Sequence, residues 1–168
     1  MGWDDKIVSE VDRSINNERK IENPLIIFKT QFNIFKSMST IRELLKTSGY
    51  SEKAIEYYVN LVNVGVIENP DAHCMFTGPC GDTMEIFLKI TSDIITDAKF
   101  QAIGCAGSFT SGSALTKMIK GKTLIDCENL NENDVLDHLG AMPEQKVHCA
   151  RLSVLTLKKA IEQFKKKE

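Results

Sequence analysis

Two apolar runs separated by three polar residues constrain the fold more than anything else in this chain. Met84–Ile90 (Met-Glu-Ile-Phe-Leu-Lys-Ile) partly alternates and is rich in strand formers, and Ile94–Ile103 carries Ala98, Phe100 and Ala102 on one face. Ser92-Asp93 between them suits a hairpin, and strands joined by so short a connection are antiparallel. The flanking text is helical. Trp3, Ile7, Val8, Val11 and Ile15 recur at helical spacing, which predicts an amphipathic helix over 3–18. Pro24 breaks that pattern, and residues 25–36 suit helix or strand. Ile41, Leu44 and Leu45 share one face of a short helix that stops at Gly49. Ser51 is placed to cap the next helix, running to about Asn63 with Ala54, Ile55, Tyr58 and Leu61 inward.

Glu68-Asn69-Pro70-Asp71 reads as a loop leading into the strands. Beyond them lie a helix over Ser108–Lys120 ending at Gly121, and a short helix over Asn131–Leu139 closed by Gly140. A long helix from about Cys149 to Lys165 then places Val154, Leu157, Ile161 and Phe164 on one stripe. Helices, then strands, then helices predict an α+β fold: a small antiparallel sheet of about three strands, packed by helices, with a helical N-terminal extension. A change of texture near residues 48–52 divides the 168 residues into an extension, 1–49, and a domain, 50–168.

Charge and hydropathy exclude several classes. Lys and Arg number 21 against 23 Asp and Glu, a net charge of −2, so no basic excess points to nucleic acid. The longest apolar run, Leu25–Phe28, falls far short of a membrane span. The start, Met-Gly-Trp-Asp-Asp, is acidic where a signal or transit peptide is basic, and the expected location is cytoplasmic. Thiols stay reduced there, so the odd count of five cysteines points to metal binding or thiol chemistry rather than a disulfide framework.

Three of those cysteines share a setting. Cys80 lies in Gly78-Pro79-Cys80-Gly81-Asp82 before a strand, Cys105 in Gly104-Cys105-Ala106-Gly107 at a strand-to-helix junction, and Cys149 in Lys146-Val147-His148-Cys149-Ala150 at the entry to the last helix. Glycine lets a backbone approach an inorganic centre closely, and helix N-termini stabilise thiolates. Three soft thiolates plus Asp82 or His148 make a four-donor set fit for iron–sulfur or zinc. Lys146 can offset charge and depress a thiol pKa.

These contexts, 25 and 44 residues apart, resemble the U-type iron–sulfur cluster scaffold family, comprising IscU and the N-terminal domain of NifU. Tyr50-Ser51-Glu52-Lys53-Ala54-Ile55 resembles the start of that domain, Asp97-Ala98-Lys99-Phe100 the run towards the second cysteine, and Lys120-Gly121-Lys122-Thr123-Leu124 the turn after the following helix. The likeness covers about residues 50–166. It implies a non-enzymatic scaffold. Iron and persulfide sulfur from a pyridoxal-phosphate cysteine desulfurase would form a transient, labile [2Fe–2S] cluster, which then passes to apo acceptor or carrier proteins. It also implies that Cys80, Cys105 and Cys149 are the cluster thiolates and that Asp82 binds iron or tunes lability. His148 and Lys146 would be the neighbouring ligand and lysine, and Cys149 the persulfide acceptor. A harder, weaker fourth ligand suits a protein that must release its cargo.

Some positions depart from the family. Its chaperone-recognition stretch Leu-Pro-Pro-Val-Lys reads here as Met142-Pro143-Glu144-Gln145-Lys146, which counts against handoff through a dedicated Hsp70 pair. The early Asn-Pro is Asn60-Leu61. The long insertion of the zinc-dependent sulfur-transfer branch is absent between Cys105 and Cys149. The oligomeric expectation is monomer or homodimer.

The main rival is a zinc protein, structural or sulfur-accepting, that uses the same donors, since zinc often substitutes at such sites. A thiol enzyme built on Cys149 and His148 is disfavoured because adjacent residues at a helix start point in different directions. Cys74 reads as a loop cysteine beside His73, Cys127 as structural and His138 as a surface residue. Gly107–Ser113 lacks the lysine of a phosphate-binding loop.

Overall fold

The computed structural model describes residues 37–166. The helix expected over 3–18 and the segment 25–36 lie outside the described residues. Helix α1 covers residues 37–47, followed by α2 (Glu52–Val59), β1 (Ala72–Thr77), β2 (Thr83–Thr91), β3 (Ile94–Ile103), α3 (Ala106–Ile119), α4 (Leu124–Glu128), α5 (Glu132–Leu139), a 3-10 turn (Glu144–Lys146) and α6 (Val147–Lys165). The fold is α+β. Its antiparallel sheet runs in the order β1-β2-β3.

The hairpin turns where expected. Thr91 faces Ile94, and the two residues between take positive φ, Ser92 at 50° and Asp93 at 60°, as a two-residue turn matched to strand twist requires. Strand β1 was not located from sequence. Ala72-His-Cys-Met-Phe-Thr follows the loop directly and pairs from Ala72↔Leu88 to Thr77↔Thr83. Cys74 therefore sits on a strand and is buried rather than in a loop.

One sheet face carries Met84, Ile86, Leu88, Ala98 and Phe100, all fully buried, and packs against α3 and α6. Leu157 and Ile161 of the expected α6 stripe are fully buried, Val154 is buried, and Phe164 packs against the core edge. Helix α3 is nearly surrounded. Its buried Thr110 and Thr116 hydroxyls donate to the carbonyls of Ala106 and Gly112 one turn back, at 2.8 and 2.7 Å, which satisfies them without solvent.

The caps follow the sequence. The Ser51 hydroxyl accepts from Ala54 N–H and donates to the Leu139 carbonyl, tying the start of α2 to the end of α5. Asn131 and Asp134 form a capping box on α5, which Gly140 ends at φ 87°. Helix α4 was missed, although Thr123 accepting from Asp126 N–H is its cap.

Helix α2 stops earlier than expected, because Leu61 and Asn63 take φ of 47° and 60°. Leu61 consequently turns outward and is exposed, against the inward expectation. The turn holds through Asn63, whose amide donates to Thr116 and whose oxygen accepts from Lys120. In α1, Leu45 packs on the core while Leu44 is exposed, so the two do not share a buried face. His138 is half-buried rather than a free surface residue. It lies 2.9 Å from the Tyr57 hydroxyl, and burial lowers its pKa.

Candidate metal centre

Three chain reversals converge at one end of the sheet. The first is the β1–β2 connection, Gly78–Asp82, where Gly78 N–H donates to the Asp82 carbonyl and Gly81 N–H to that of Gly78. Cys80 stands exposed on this loop. The second is the passage from β3 to α3, with Cys105 as the helix N-cap residue. The third is the 3-10 turn into α6, which puts His148 on the surface and Cys149 in the interior.

Asp82 links the three. One set, Cys80, Asp82 and His148, brings its donor atoms within 4.8 Å of one another; a second, Asp82, Cys105 and Cys149, does the same. The Cys105 and Cys149 sulfurs are 3.6 Å apart. Two thiolates on one tetrahedral metal at about 2.3 Å each would be separated by roughly 3.8 Å, so this pair already has metal-binding spacing.

The Asp82 carboxylate accepts from the Ser108 hydroxyl and from Cys105 N–H, the latter at 3.2 Å. It thereby caps α3 from outside, because the Cys105 side chain makes no capping bond. The Ser108 hydrogen bond is the main cause holding the Asp82 pKa below the usual carboxylate range. Burial pushes the Cys149 thiol up to about 12, against a lowering hydrogen bond from Ser108. The Lys146 ammonium is kept charged mainly by its hydrogen bond with Cys105, aided by Cys149 and Asp82.

Two glycines make this density possible. A Cβ at Gly104 would stand 2.6 Å from the Asp82 carboxyl carbon. One at Gly107 would stand 2.9 Å from the Cys149 sulfur, 3.2 Å from Lys146 Cβ and 3.4 Å from the Cys105 sulfur. Gly104 is thus a close-approach position for the Asp82 carboxyl and Gly107 one for the thiols.

All six sequence-predicted positions, Cys80, Asp82, Cys105, Lys146, His148 and Cys149, come to this one end of the fold. Cys74 and Cys127 do not join either donor set. Cys127 is fully buried, with its thiol raised to about 11 by burial. Sequence reasoning missed Ser108, whose hydroxyl donates to Asp82. Its position three residues after the N-cap Cys105 was the available signal. An apolar groove between Phe76, Pro79, Leu152 and Leu155 opens beside Cys80 and His148.

Comparison with known proteins matches this arrangement to one group. The family model for the NifU-like N terminal domain covers residues 49–168. The iron–sulfur cluster assembly scaffold protein IscU 1 of Archaeoglobus fulgidus is 38% identical over 119 residues, spanning 70% of this chain and 78% of that protein. IscU of Escherichia coli is 37% identical over 123 residues, spanning 70% of this chain and 95% of that protein. The crystal structure of a nitrogen-fixing NifU-like protein (N-terminal) from Brucella abortus shares the fold at a TM-score of 0.58 and 20% identity, covering 70% of this chain and 95% of that one. The family model spans both the sheet and every residue of the two donor sets, and the chain belongs to the NifU-like N-terminal domain family.

Proposed function

We propose that the protein is an iron–sulfur cluster assembly scaffold. The observation that carries this reading is the pair of donor sets hinged on Asp82, with two thiols at metal-binding spacing inside and a third thiol at the surface. Relatives of the same family bear scaffold names, and every donor those contexts imply lies at one site.

In this reading a [2Fe–2S] cluster is the cargo. Cys80, Cys105 and Cys149 supply thiolates, and Asp82 or His148 completes the set. Iron enters from the Cys80–His148 side, which is open to solvent. Lys146 offsets the negative charge that gathers as thiols deprotonate. Sulfur comes as persulfide from a cysteine desulfurase, and acceptor proteins take the finished cluster. Delivery to Cys149 requires the chain around it to move, because that thiol is fully buried, whereas Cys80 is reachable as it stands. The chain transfers cargo and turns over no substrate of its own.

Residues 50–168 form the scaffold domain in this proposal, with 1–49 as an extension. Deleting 1–48 leaves metal binding in place, at some cost in stability because Leu45 packs on the core. A truncated protein that folds but binds no metal would remove this division.

The deciding experiment is anaerobic purification with iron and acid-labile sulfide analysis, then reconstitution with ferrous iron and sulfide. The expected result is equal iron and sulfide, visible cluster absorption and transfer to an apo-ferredoxin. Zinc retained through reconstitution, with no sulfide and no transfer, would establish the zinc reading instead.

A further inference from the structure

Seven serine and threonine residues among the described residues are fully buried. Four of them, Thr110, Thr116, Ser153 and Thr156, spend the hydroxyl on a carbonyl of their own helix, at 2.7 to 2.8 Å. That is the ordinary way to satisfy a buried hydroxyl within a helix. Ser108 does otherwise. It stands in the first turn of α3, and its hydroxyl crosses to another part of the chain to donate to Oδ2 of Asp82. Among the seven it is the one that bonds a charged group.

The same oxygen accepts Cys105 N–H at 3.2 Å. Both bonds end on Oδ2 and neither on Oδ1. A carboxylate oxygen has two lone pairs, so two donors use Oδ2 completely. The backbone confines it as well, because a Cβ on Gly104 would stand 2.7 Å from Oδ2 and 2.6 Å from the carboxyl carbon. A metal beside Asp82 therefore meets a carboxylate with one oxygen taken and one to offer.

We propose that Ser108 is a positioning residue that limits Asp82 to one-oxygen coordination: together with Cys105 N–H it fills Oδ2, and leaves Oδ1 as the atom that meets a metal held by Cys105 and Cys149. The proposal rests on the metal-site reading above. A carboxylate can bind a metal through one oxygen or through both. The one-oxygen mode gives the weaker hold, and Ser108 enforces it without touching the metal. With Ser108 removed, the 3.2 Å bond from Cys105 N–H is the one left on Oδ2. The carboxyl is then able to turn about its Cβ–Cγ bond and bring both oxygens to the metal.

Cobalt(II) added anaerobically to the full chain is the probe. Its near-ultraviolet thiolate band reports binding, and its visible bands weaken when a further donor atom joins a tetrahedral site. In Ser108→Ala the thiolate band should remain and the visible bands lose intensity as Oδ2 joins. Cobalt should also pass to excess EDTA several-fold more slowly than from wild type. Asp82→Ala supplies the control, because a residue that acts through Asp82 has nothing to act on once that carboxylate is gone. Adding Ser108→Ala to Asp82→Ala should change neither the visible bands nor the rate of loss. Visible bands of undiminished intensity in Ser108→Ala overturn the proposal. They do so even if cobalt affinity falls by roughly tenfold, the result expected if Ser108 only orients the ligand. An equal change in the Asp82→Ala background overturns it too, since Ser108 would then act through helix packing or another donor. A wild-type chain with no thiolate band would take away the metal-site reading and the proposal with it, whereas a normal wild-type band with an unaffected Ser108→Ala defeats the proposal alone.

Discussion

Asp82 stands between two thiol environments that differ in nearly every physical respect. On one side Cys149 is fully buried and Cys105 half-buried, their sulfurs already at metal-binding distance, with the starts of α3 and α6 behind them. On the other side Cys80 rides on an exposed loop beside the exposed His148, next to an apolar groove. The inner half is held by helix starts, by glycines that admit no extra atom, and by the Ser108 hydroxyl. The outer half is held by a loop. In the proposed reading, a metal cargo held across both would be anchored from within and accessible from without, the asymmetry that release requires. Rigidity and access are thus divided between the halves.

The largest effects should come from the inner half. Cys105→Ala or Cys149→Ala is expected to abolish cobalt binding and cluster formation while the fold persists. Cys80→Ala should also lose a stable cluster, yet still bind a single cobalt ion through Asp82, Cys105 and Cys149. Cobalt titration with cluster reconstitution on the same preparations reads both. If Cys80→Ala lost cobalt as completely as Cys149→Ala, the two halves would not be distinct. Cys127→Ala provides the opposite signature: about 1 kcal/mol of stability lost from a small buried void, with the cluster unaffected.

A smaller effect sharpens the same contrast. Gly107→Ala places a methyl 2.9 Å from the Cys149 sulfur, so a thiol or the Lys146 stem must move. Cobalt affinity should fall by roughly tenfold, since displaced ligands no longer meet at tetrahedral spacing, with little change in metal-free melting. Calorimetric melting beside the titration checks it. A loss of folding equal to the loss of binding would show that Gly107 serves helix packing first.

The sheet was legible in sequence where the chain reports its own geometry. Ser92-Asp93 between two β-rich runs announced the hairpin, and Gly121 and Gly140 announced helix ends. Strand β1 was hidden because its six residues mix exposed and buried positions across an edge, and Cys74 beside His73 looked like loop chemistry. Leu61 was misplaced because helical spacing runs on through it, while the Asn63 contacts with Thr116 and Lys120 that fix the turn are made by residues more than 50 positions away. The site's donors were readable because glycine, aspartate and histidine flank them. Ser108 was harder to read, because its position three residues after the N-cap shows that it can cap the helix but not that it faces Asp82, which lies on another element.

Asp82 belongs to both halves, and replacing it tests whether it acts as a ligand or as a brace. Its carboxylate accepts from Ser108 and Cys105 N–H in the metal-free chain, so it caps α3 as well as facing the metal. Asp82→Ala removes an oxygen ligand and a negative charge beside an anionic cluster, and leaves three thiolates with water or His148 to fill the vacancy. If its main role is to weaken the hold on the cargo, the variant keeps its cluster several-fold longer in air and passes it to an apo-acceptor several-fold more slowly. The stability cost is that of a lost cap, about 1 kcal/mol. That contribution has a definite pH sense. The folded pKa lies below the ordinary carboxylate value, so the stabilisation is complete above that value and fades as pH falls through the lowered one. The melting difference between wild type and Asp82→Ala in the metal-free state should therefore be constant near neutral pH and shrink in strong acid. Faster cluster loss in air with unimpaired transfer would mean that Asp82 is a required ligand or only a cap, and the outer half would then owe its lability to Cys80 and His148 alone.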